Sequence, residues 1–338
     1  MTGTVLVTGG SGYIAGFLIR QLIAEGWRVH TTIRSLAREA EVRRVLAVDD
    51  TRLTFFAADL LNDAGWADAV AGCSHVAHIA SPLPAGAVRH EDDLIVPARE
   101  GALRALRFAK AAGVERFVMT SSVAAIAYGH NKKSATFTEA DWTDVHGPQV
   151  HAYAKSKTLA ERAARDWVAA EGGHMVYCTI NPAAVLGPVL GPDFSASIEV
   201  VKRLISGSLP GLPDFGFGVV DVRDVADLHV RALNAEDMAG ERFIACGPFL
   251  MMADVAAVLR DRLGAEARKV PTRKLPDLLL RAVALFDPAV RMVTGELGKR
   301  RITPADHARE RLGWVPRPAS ETIVDTARSL IDRGIVTL

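Results

Sequence analysis

The composition of this 338-residue chain excludes several classes of protein before any motif is considered. Its 40 lysines and arginines almost balance its 39 aspartates and glutamates, so we expect no binding to nucleic acid and none to anionic membranes. Cys73, Cys178 and Cys246 are isolated from one another, which fits a reducing cytosol and no structural zinc. The first apolar run is too short for a signal peptide or a membrane span, so we predict a cytoplasmic protein.

Short apolar runs alternate with helical patterns through the first half of the chain. Seven runs predict strands buried on both faces: Thr4–Thr8, Arg28–Ile33, Leu53–Ala57, His75–Ile79, Arg116–Ser121, Met175–Ile180 and Arg242–Cys246. Helical spacing covers residues 17–24, 94–112 and 153–170, and a glycine follows each pattern. This alternation predicts an α/β fold with a doubly wound parallel sheet (Rossmann) and helices on both faces.

Prolines become frequent after Gly187, and the sequence changes character there. Helical patterns continue at Met252–Leu263, Pro276–Phe286 and Ser320–Arg333. We interpret residues 187–215 and 248–338, with approximate bounds, as a smaller, discontinuous C-terminal substrate lobe. Residues 1–186 together with 216–247, again approximately, then form the domain that carries the sheet.

A glycine-rich segment, VLVTGGSGYIAG at residues 5–16, joins the first predicted strand to the first helix. Gly9 permits a tight turn, and Gly12 permits the backbone to approach a pyrophosphate at the helix N-terminus. Ala15 takes the third small position, which mainly governs packing between helix and strand. A Walker loop is excluded because the segment has no lysine. A glycine-rich turn without a ligand is the alternative.

An arginine stands after the second strand, where NAD-binding folds usually carry an acid that binds the ribose hydroxyls. Arg34 lies 22 residues after Gly12, and no acid appears before Glu39. A guanidinium there can pair with the 2′-phosphate of NADP, with Ser35 and Arg38 as helpers. The sequence therefore predicts NADP(H) as the cofactor, although an ordinary solvated arginine remains the alternative.

Two more strand ends carry residues that suit a bound dinucleotide. Asp59 follows the third strand and could accept a hydrogen bond from the adenine amine, or serve only as a helix cap. Ala80 and Ser81 follow the fourth strand, and their small side chains permit close approach of a phosphate or a ribose.

The segment HAYAKSKTLAER, from His151, places Tyr153 and Lys157 four residues apart on one helix face. A strand that ends in Thr120–Ser122 precedes it.

Hydride addition to a carbonyl leaves an alkoxide, which a tyrosine can protonate. A lysine ammonium at ~4 Å contributes about 4 kcal/mol at an effective dielectric of ~20 and so lowers the tyrosine pKa from about 10. We therefore predict that Tyr153 donates the proton, that Lys157 acidifies it and binds the nicotinamide ribose, and that Ser122 orients the carbonyl. Ordinary helix-surface and strand-end roles are the alternatives.

These motifs together resemble the extended short-chain dehydrogenase/reductase family over nearly the whole chain. The matching segments are TGGSGYIA at 8–15, TSS at 120–122, YAKSK at 153–157, NPAAVLGP at 181–188, VDVRDVADLHVRAL at 220–233 and LGWVPRPASETIVDTARSLI at 312–331. The subgroup resembled is that of dihydroflavonol reductase, cinnamoyl-CoA reductase and methylglyoxal (aldehyde) reductase, whose members reduce carbonyls with NADPH. The resemblance implies catalytic roles for Ser122, Tyr153 and Lys157. It also implies cofactor contacts at Gly9, Ser11, Gly12, Tyr13, Ile14, Arg34, Asp59, Leu60, Ala80, Ser81, Tyr153, Lys157, Pro182, Val185 and Ser197.

The substrate is expected to be a small carbonyl compound, and the apolar residues around the predicted site indicate a hydrophobic one. The candidates are Pro82, Leu83, Ala124, Tyr128, Phe194, Leu209, Leu212, Phe215 and Phe217; core packing is the alternative for each. His146, His151 and His229 lack metal-ligand spacing, so no metal site is predicted. The family resemblance leaves monomer and homodimer open.

Two other functions remain open at this stage. A nucleotide-sugar epimerase or dehydratase shares the fold and the tyrosine–lysine pair but typically holds NAD tightly. Arg34 disfavours it, and the first basic candidates for a diphosphate clamp after Val189 are Lys202 and Arg203. A non-catalytic NADP sensor is disfavoured because such proteins commonly lack the tyrosine–lysine pair.

Overall fold

The structure is a computed structural model that describes residues 3–48, 51–82, 90–191, 193–285 and 294–338. Twelve strands are found in these ranges: β1 Thr4–Val7, β2 Arg28–Ile33, β3 Leu53–Ala57, β4 His75–His78, β5 Arg116–Thr120, β6 Ser134–Thr136, β7 Val176–Pro182, β8 Ala184–Leu186, β9 Gly216–Asp221, β10 Arg242–Ala245, β11 Phe249–Met251 and β12 Arg300–Ile302. Seven of them form one parallel sheet in the order β10–β7–β5–β4–β1–β2–β3. All seven predicted strands are in this sheet, so the predicted doubly wound α/β fold is confirmed.

Eleven α-helices lie within the same ranges. They are α1 Tyr13–Ala24, α2 Glu39–Leu46, α3 Trp66–Val70, α4 Asp92–Ala111, α5 Ala152–Glu171, α6 Ala196–Ser206, α7 Val222–Asn234, α8 Met252–Leu263, α9 Asp277–Val283, α10 Asp306–Leu312 and α11 Ala319–Asp332. The six helical patterns predicted from the sequence correspond to α1, α4, α5, α8, α9 and α11. Phe286, the last residue of the pattern that corresponds to α9, lies outside the described residues.

The helices cover both faces of the sheet because successive strand residues point to opposite sides. On β1, Val5 and Val7 belong to a buried cluster that includes Leu22 of α1 and Val225 of α7. Leu6, between them, belongs to a second cluster, formed with α4 and α5. The two apolar faces explain why this strand is apolar throughout and does not alternate with polar residues.

The second half of the chain adds a smaller sheet in the order β11–β9–β8. Helix α11 packs against α6 and α8, and one buried cluster contains Val7 of the large sheet together with Ile198 of α6 and Ile323 of α11. Arg317, just before α11, is bound to Asp224 of α7 through its backbone N–H (2.8 Å) and its guanidinium (2.8 and 2.9 Å). The division into two lobes near residue 187 remains a prediction.

A third, two-stranded sheet connects distant parts of the chain. β6 follows β5 and pairs in parallel with β12, in the register Ser134 to Arg300 and Thr136 to Ile302. Phe137 N–H donates to the Ile302 carbonyl at 2.8 Å, which extends the pairing by one residue. This sheet holds residues 300–302 beside the loop that leaves β5.

The order of the large sheet reverses between β1 and β4. From β1 the chain builds outward to β3, and from β4 it builds in the opposite direction to β10. In open parallel sheets, ligands bind at the carboxyl ends of the strands where this reversal occurs. The ends of β1, β4, β5 and β7 therefore mark the edge at which a functional site is expected.

Candidate active site

The glycine-rich loop after β1 leaves backbone donors free at the start of α1. Gly12 is the N-cap and supplies no side-chain hydrogen bond. Within the described ranges, the N–H groups of Tyr13 and Ile14 have neither a backbone nor a side-chain acceptor. The loop and α1 line a cleft closed on its other side by Val42 and Leu190. Free N–H groups at a helix N-terminus form an anion-binding arrangement, which suits a pyrophosphate.

Thr8 fixes this loop against the end of β4. Its hydroxyl oxygen accepts hydrogen bonds from the N–H groups of Ile79 (3.0 Å) and Ala80 (2.9 Å). Gly9 has a φ of +74°, and a Cβ there would lie 3.1 Å from the Ala80 Cβ. Ala80 is therefore adjacent to the loop, and Ser81 follows it.

Gly9 allows a test of how closely the loop is packed. Gly72 has a nearly equal φ of +71°, but a Cβ there would meet nothing within 4 Å. Gly72→Ala should lower the unfolding free energy by about 1–2 kcal/mol through backbone strain alone. Gly9→Ala should lose about 1–3 kcal/mol more, because it also crowds Ala80. Urea titrations of both variants measure the difference, and equal losses would contradict the packing described here.

Arg34 lies exposed after β2 and makes no hydrogen bond or ion pair with any residue in the described ranges. Arg38, in contrast, forms ion pairs with Glu41 (3.1 Å) and Asp193 (3.0 Å). Of the two arginines, Arg34 therefore has its guanidinium available to an anionic ligand, whereas Arg38 would first have to leave its carboxylates. Ser35 is also exposed.

Asp59 has one carboxylate oxygen engaged in a local turn. Asp59 Oδ1 accepts from the Leu61 N–H at 2.9 Å, and the Asp59 carbonyl accepts from Trp66 Nε1 at 2.8 Å. The second carboxylate oxygen has no partner among the described residues, and the side chain is half-buried. Both readings offered by the sequence, turn residue and adenine acceptor, are compatible with this arrangement.

Ser122, Tyr153 and Lys157 lie together at the carboxyl edge of the sheet. Ser122, 8% exposed, caps a short 3-10 turn at Val123–Ala125 by accepting from the Ala124 N–H at 3.1 Å. Its hydroxyl is close enough to the phenol of Tyr153 to affect the pKa of that group. Lys157 is 6% exposed, and its Nζ lies 5.9 Å from the centre of the Tyr153 ring. The structure thus brings together the three side chains that the sequence singled out.

The pKa shifts of this group differ from the sequence-based expectation. Burial raises the pKa of Tyr153, and the nearby Ser122 hydroxyl offsets part of that rise. Burial also lowers the pKa of Lys157 to about 8, while the nearby Glu161 carboxylate acts in the opposite direction. Lys157 was expected to lower the pKa of Tyr153. In this structure desolvation dominates instead, and the ammonium faces the ring.

Tyr128 lies beside this group, with neighbours that the sequence did not indicate. The guanidinium carbon of Arg301, on β12, is 4.4 Å from the centre of the Tyr128 ring, and Arg301 is paired with Glu296. The His151 ring lies between the rings of Tyr128 (5.1 Å) and Tyr153 (6.2 Å). No spacing signal could have linked residue 301 to residue 128, because the paired strands β6 and β12 are separated by nearly half of the chain.

The other predicted substrate residues fall into two groups, those buried in the interior and those that are half-buried. Ala124 and Leu212 are 4% and 3% exposed and pack in the interior, so little of either side chain could reach a ligand. Phe215 and Phe217 are half-buried, with ring centres 5.7 Å apart; Pro82, Phe194 and Leu209 are also half-buried. Leu83 lies outside the described residues.

The remaining predicted cofactor residues lie on β7 and β8, at the start of α6 and after β3. The Pro182 carbonyl is 3.5 Å from Ser122 Oγ, which donates to it. Val185 on β8 is buried, and its carbonyl accepts from Ser195 Oγ at 3.0 Å. Ser197 is half-buried in the first turn of α6. Leu60 lies against Gly101 of α4, where an added Cβ would be 2.9 Å from the Leu60 Cβ.

The described ranges contain neither a metal-binding cluster nor a membrane-spanning helix. They contain no group of three or more histidine, cysteine, aspartate or glutamate side chains placed to hold a metal ion. Among the helices in those ranges, none has both the length and the apolar character that a bilayer span requires.

The chain has recognisable relatives. Residues 5–246 match the family model described as the NAD dependent epimerase/dehydratase family. The chain belongs to this family, the extended short-chain dehydrogenase/reductases. The family resemblance carried by the sequence motifs is therefore confirmed.

The relatives include plant reductases of the subgroup that the motifs indicated. A cinnamoyl-CoA reductase of Medicago truncatula is 37% identical over 246 residues, 70% of this chain and 74% of that protein. A (2S)-flavan-3-ol-forming anthocyanidin reductase of Vitis vinifera is 30% identical over 285 residues, 80% of this chain and 83% of that protein. The yeast methylglyoxal/isovaleraldehyde reductase, solved in complex with NADPH, superposes with a TM-score of 0.83 at 26% identity, covering 98% of this chain and all of that one.

Proposed function

We propose that this protein is an NADPH-dependent reductase that converts an aldehyde or ketone to an alcohol, reversibly. The observation that carries the proposal is the grouping of Ser122, Tyr153 and Lys157 at the edge of the sheet where its order reverses. The reductase activity of the relatives supports it. An NADP-dependent oxidoreductase of this type is expected to act on CH–OH and carbonyl groups.

The residues present fit an NADP(H) dinucleotide. The free N–H groups at the start of α1 would hold its pyrophosphate, and neither Gly9 nor Gly12 places a side chain in the loop. Arg34 would pair with the 2′-phosphate, and Asp59 with the adenine amine. We assign the further contacts to Ser11, Leu60, Ser81, Pro182, Val185 and Ser197.

The chemistry requires one hydride and one proton. NADPH, when bound, would be the source of the hydride that adds to the carbonyl carbon. Tyr153 donates its phenolic proton to the carbonyl oxygen, and Ser122 donates a hydrogen bond that orients this oxygen toward the phenol. The Lys157 ammonium stabilises the phenolate left on Tyr153 and binds the nicotinamide ribose. Because burial raises the pKa of Tyr153, the phenol is protonated and ready to donate at neutral pH.

The substrate is proposed to be a small and mainly hydrophobic carbonyl compound. Tyr128 lies next to the His151 ring, which also contacts Tyr153. We assign the rest of the apolar substrate site to the half-buried residues Pro82, Phe215 and Phe217, which come from other segments. Arg301 is already paired with Glu296, so it adds no unpaired positive charge to this side. The residues around Tyr128 therefore favour an uncharged substrate.

An epimerase with tightly held NAD is the competing function, because the family model includes such enzymes. The basic side chains proposed for a diphosphate clamp are occupied: Lys202 (3.1 Å) and Arg203 (3.2 Å) both bind Glu199 of the same helix. Arg34 in place of an acid also favours NADP. A non-catalytic NADP sensor remains the third possibility.

A screen of purified protein distinguishes these three functions. NADPH absorbance should fall only after an aldehyde or ketone from a panel is added, with hydrophobic members giving the largest kcat/KM. Co-purified NAD and turnover of a nucleotide sugar would support the epimerase. Tight NADPH binding without oxidation by any carbonyl would support the sensor.

Arg34→Ala tests the cofactor assignment. Loss of a charge-assisted hydrogen bond, about 1.5–3 kcal/mol, should raise the Kd for NADPH by about 10–100-fold and leave the Kd for NADH nearly unchanged. Arg44→Ala is the matched control, since Arg44 is an exposed arginine on neighbouring α2. Fluorescence titration gives all four constants. Equal losses for the two cofactors would remove the 2′-phosphate role from Arg34.

A further inference from the structure

A fully buried carboxylate lies one helical turn beyond Lys157. Glu161 of α5 is 0% exposed and accepts hydrogen bonds from Ser121 Oγ, from Asn181 Nδ2 at 2.9 Å and from Arg242 Nε at 2.7 Å. Thr179 Oγ1 (3.2 Å) and Arg165 Nε (3.4 Å) complete the set. A carboxylate with this many donors remains ionised although it is buried, and the pKa of Glu161 is indeed below its ordinary value.

Glu161 holds the two strand ends that flank Ser122. Ser121 is the residue before Ser122, and its hydroxyl donates to Glu161. Asn181 gives one amide hydrogen to Glu161 and the other to the Ser122 carbonyl, at 3.2 Å. Pro182, next to Asn181, accepts from Ser122 Oγ. Ser122 is therefore attached on both sides to residues that a single carboxylate orients.

Glu161 also places a negative charge near Lys157, because residues four apart share a helix face. Burial lowers the pKa of Lys157, and Glu161 counteracts this. The other titratable groups around Lys157 are Tyr153 on the same helix and His78 of β4. The pKa of His78 is about 3, owing to burial and to Lys157 itself, so His78 is neutral. Arg165 and Arg242 stand beyond Glu161 and neutralise part of its charge.

We propose that Glu161 is a positioning residue for the reaction: it orients the Ser121–Ser122 and Asn181 strand ends and keeps the Lys157 side chain in its ammonium form. The inference rests on the proposed reductase function, but the effect on Lys157 can be measured without turnover. A purely structural Glu161 would stabilise the fold without changing how Lys157 titrates.

Two variants that break the ion pair between Glu161 and Arg242 distinguish a structural role of Glu161 from an electrostatic one. They should shift the pH at which Lys157 loses its proton in different directions. Glu161→Gln keeps the size of the side chain but removes the negative charge, so Lys157 should lose its proton about 1–3 pH units lower than in the wild type. Arg242→Gln removes the positive charge from the same pair, so the titration midpoint of Lys157 should stay at the wild-type value or rise. Asp224→Asn is a remote control, because it weakens the partly buried ion pair with Arg317 and should leave the titration midpoint of Lys157 unchanged.

NMR of the lysine 13Cε signals in the protein without cofactor measures the midpoint, with Lys157→Met as the assignment standard. The wild-type midpoint should lie near pH 8, and the alkaline fall of kcat/KM should move down with it in Glu161→Gln. A midpoint that stays within about 0.3 units in Glu161→Gln overturns the inference. If no carbonyl is reduced by the wild type, the proposed function fails, and the titration still decides the charge coupling.

Glu161→Asp covers the case in which Glu161→Gln does not fold. Aspartate keeps the charge but is one methylene shorter, so it should preserve the Lys157 midpoint while kcat falls, because the strand ends lose their anchor. An Arg242→Gln midpoint below that of the wild type, or a Glu161→Asp variant with unchanged kcat, would contradict the proposal.

Discussion

Tyr153→Phe should lower kcat for the carbonyl substrate by about 10²–10⁴-fold, the usual contribution of a positioned general acid. Phenylalanine keeps the ring that packs beside His151 and Lys157 but has no proton to give to the carbonyl oxygen. NADPH should bind the variant with nearly unchanged affinity, because the pyrophosphate and phosphate contacts lie on other elements. Absorbance assays give kcat, and fluorescence titration gives the Kd.

Tyr177→Phe is the control for this experiment. Tyr177 is another buried phenol, on β7, and its hydroxyl donates to Met119 Sδ at 3.3 Å, in the cluster on the α4–α5 face of the sheet. Its loss should leave kcat within about twofold of the wild type. If Tyr153→Phe behaved in the same way as Tyr177→Phe, proton donation by Tyr153 would be ruled out.

Lys157→Met should damage both turnover and cofactor affinity, because Lys157 is assigned two roles. The variant lacks the cation that stabilises the Tyr153 phenolate, and kcat should fall by at least about 100-fold. It also lacks the donor to the nicotinamide ribose, and the Kd for NADPH should rise by about tenfold or more. Methionine retains most of the apolar stem, so packing on α5 is disturbed little.

Lys155→Met supplies the comparison on the same helix. Lys155 Nζ is 2.6 Å from a carboxylate oxygen of Glu91, in a partly exposed ion pair, and exposed pairs contribute little to stability. Both kcat and Kd should stay close to wild type in this variant. An unchanged Kd in Lys157→Met would remove the ribose contact, and an unchanged kcat would remove its part in proton transfer.

The large sheet could be predicted because its strands carry a strong local signal. Strands buried on both faces are continuous apolar runs, so Arg28–Ile33 and Leu53–Ala57 matched the structure residue for residue. The five strands outside the large sheet, β6, β8, β9, β11 and β12, were not predicted. Four of them have only three residues, and so short a segment cannot show a hydrophobic pattern that identifies a strand. Their partners are set by tertiary packing and not by their own sequence.

The candidate site was predictable as far as its chemistry follows from local spacing. Tyr153 and Lys157 lie on one face because they are four residues apart on a helix. The direction of the Tyr153 pKa was not predictable in this way, since it depends on how much water the fold removes from the phenol. Nor were Glu161 and Arg301 assigned roles, because their partners come from strands far away in the chain.

The pairing of β6 with β12 bears on how the chain matures during synthesis. All seven strands of the large sheet precede residue 246, so they leave the ribosome well before Arg300–Ile302 do. Ser122, Tyr153 and Lys157 are therefore all synthesised while the segment at 134–136 still lacks its partner strand. A chain that terminated before Arg300 would lack both β12 and the Arg301 guanidinium over the Tyr128 ring. The contact between Arg301 and Tyr128 is thus among the last that a growing chain can form.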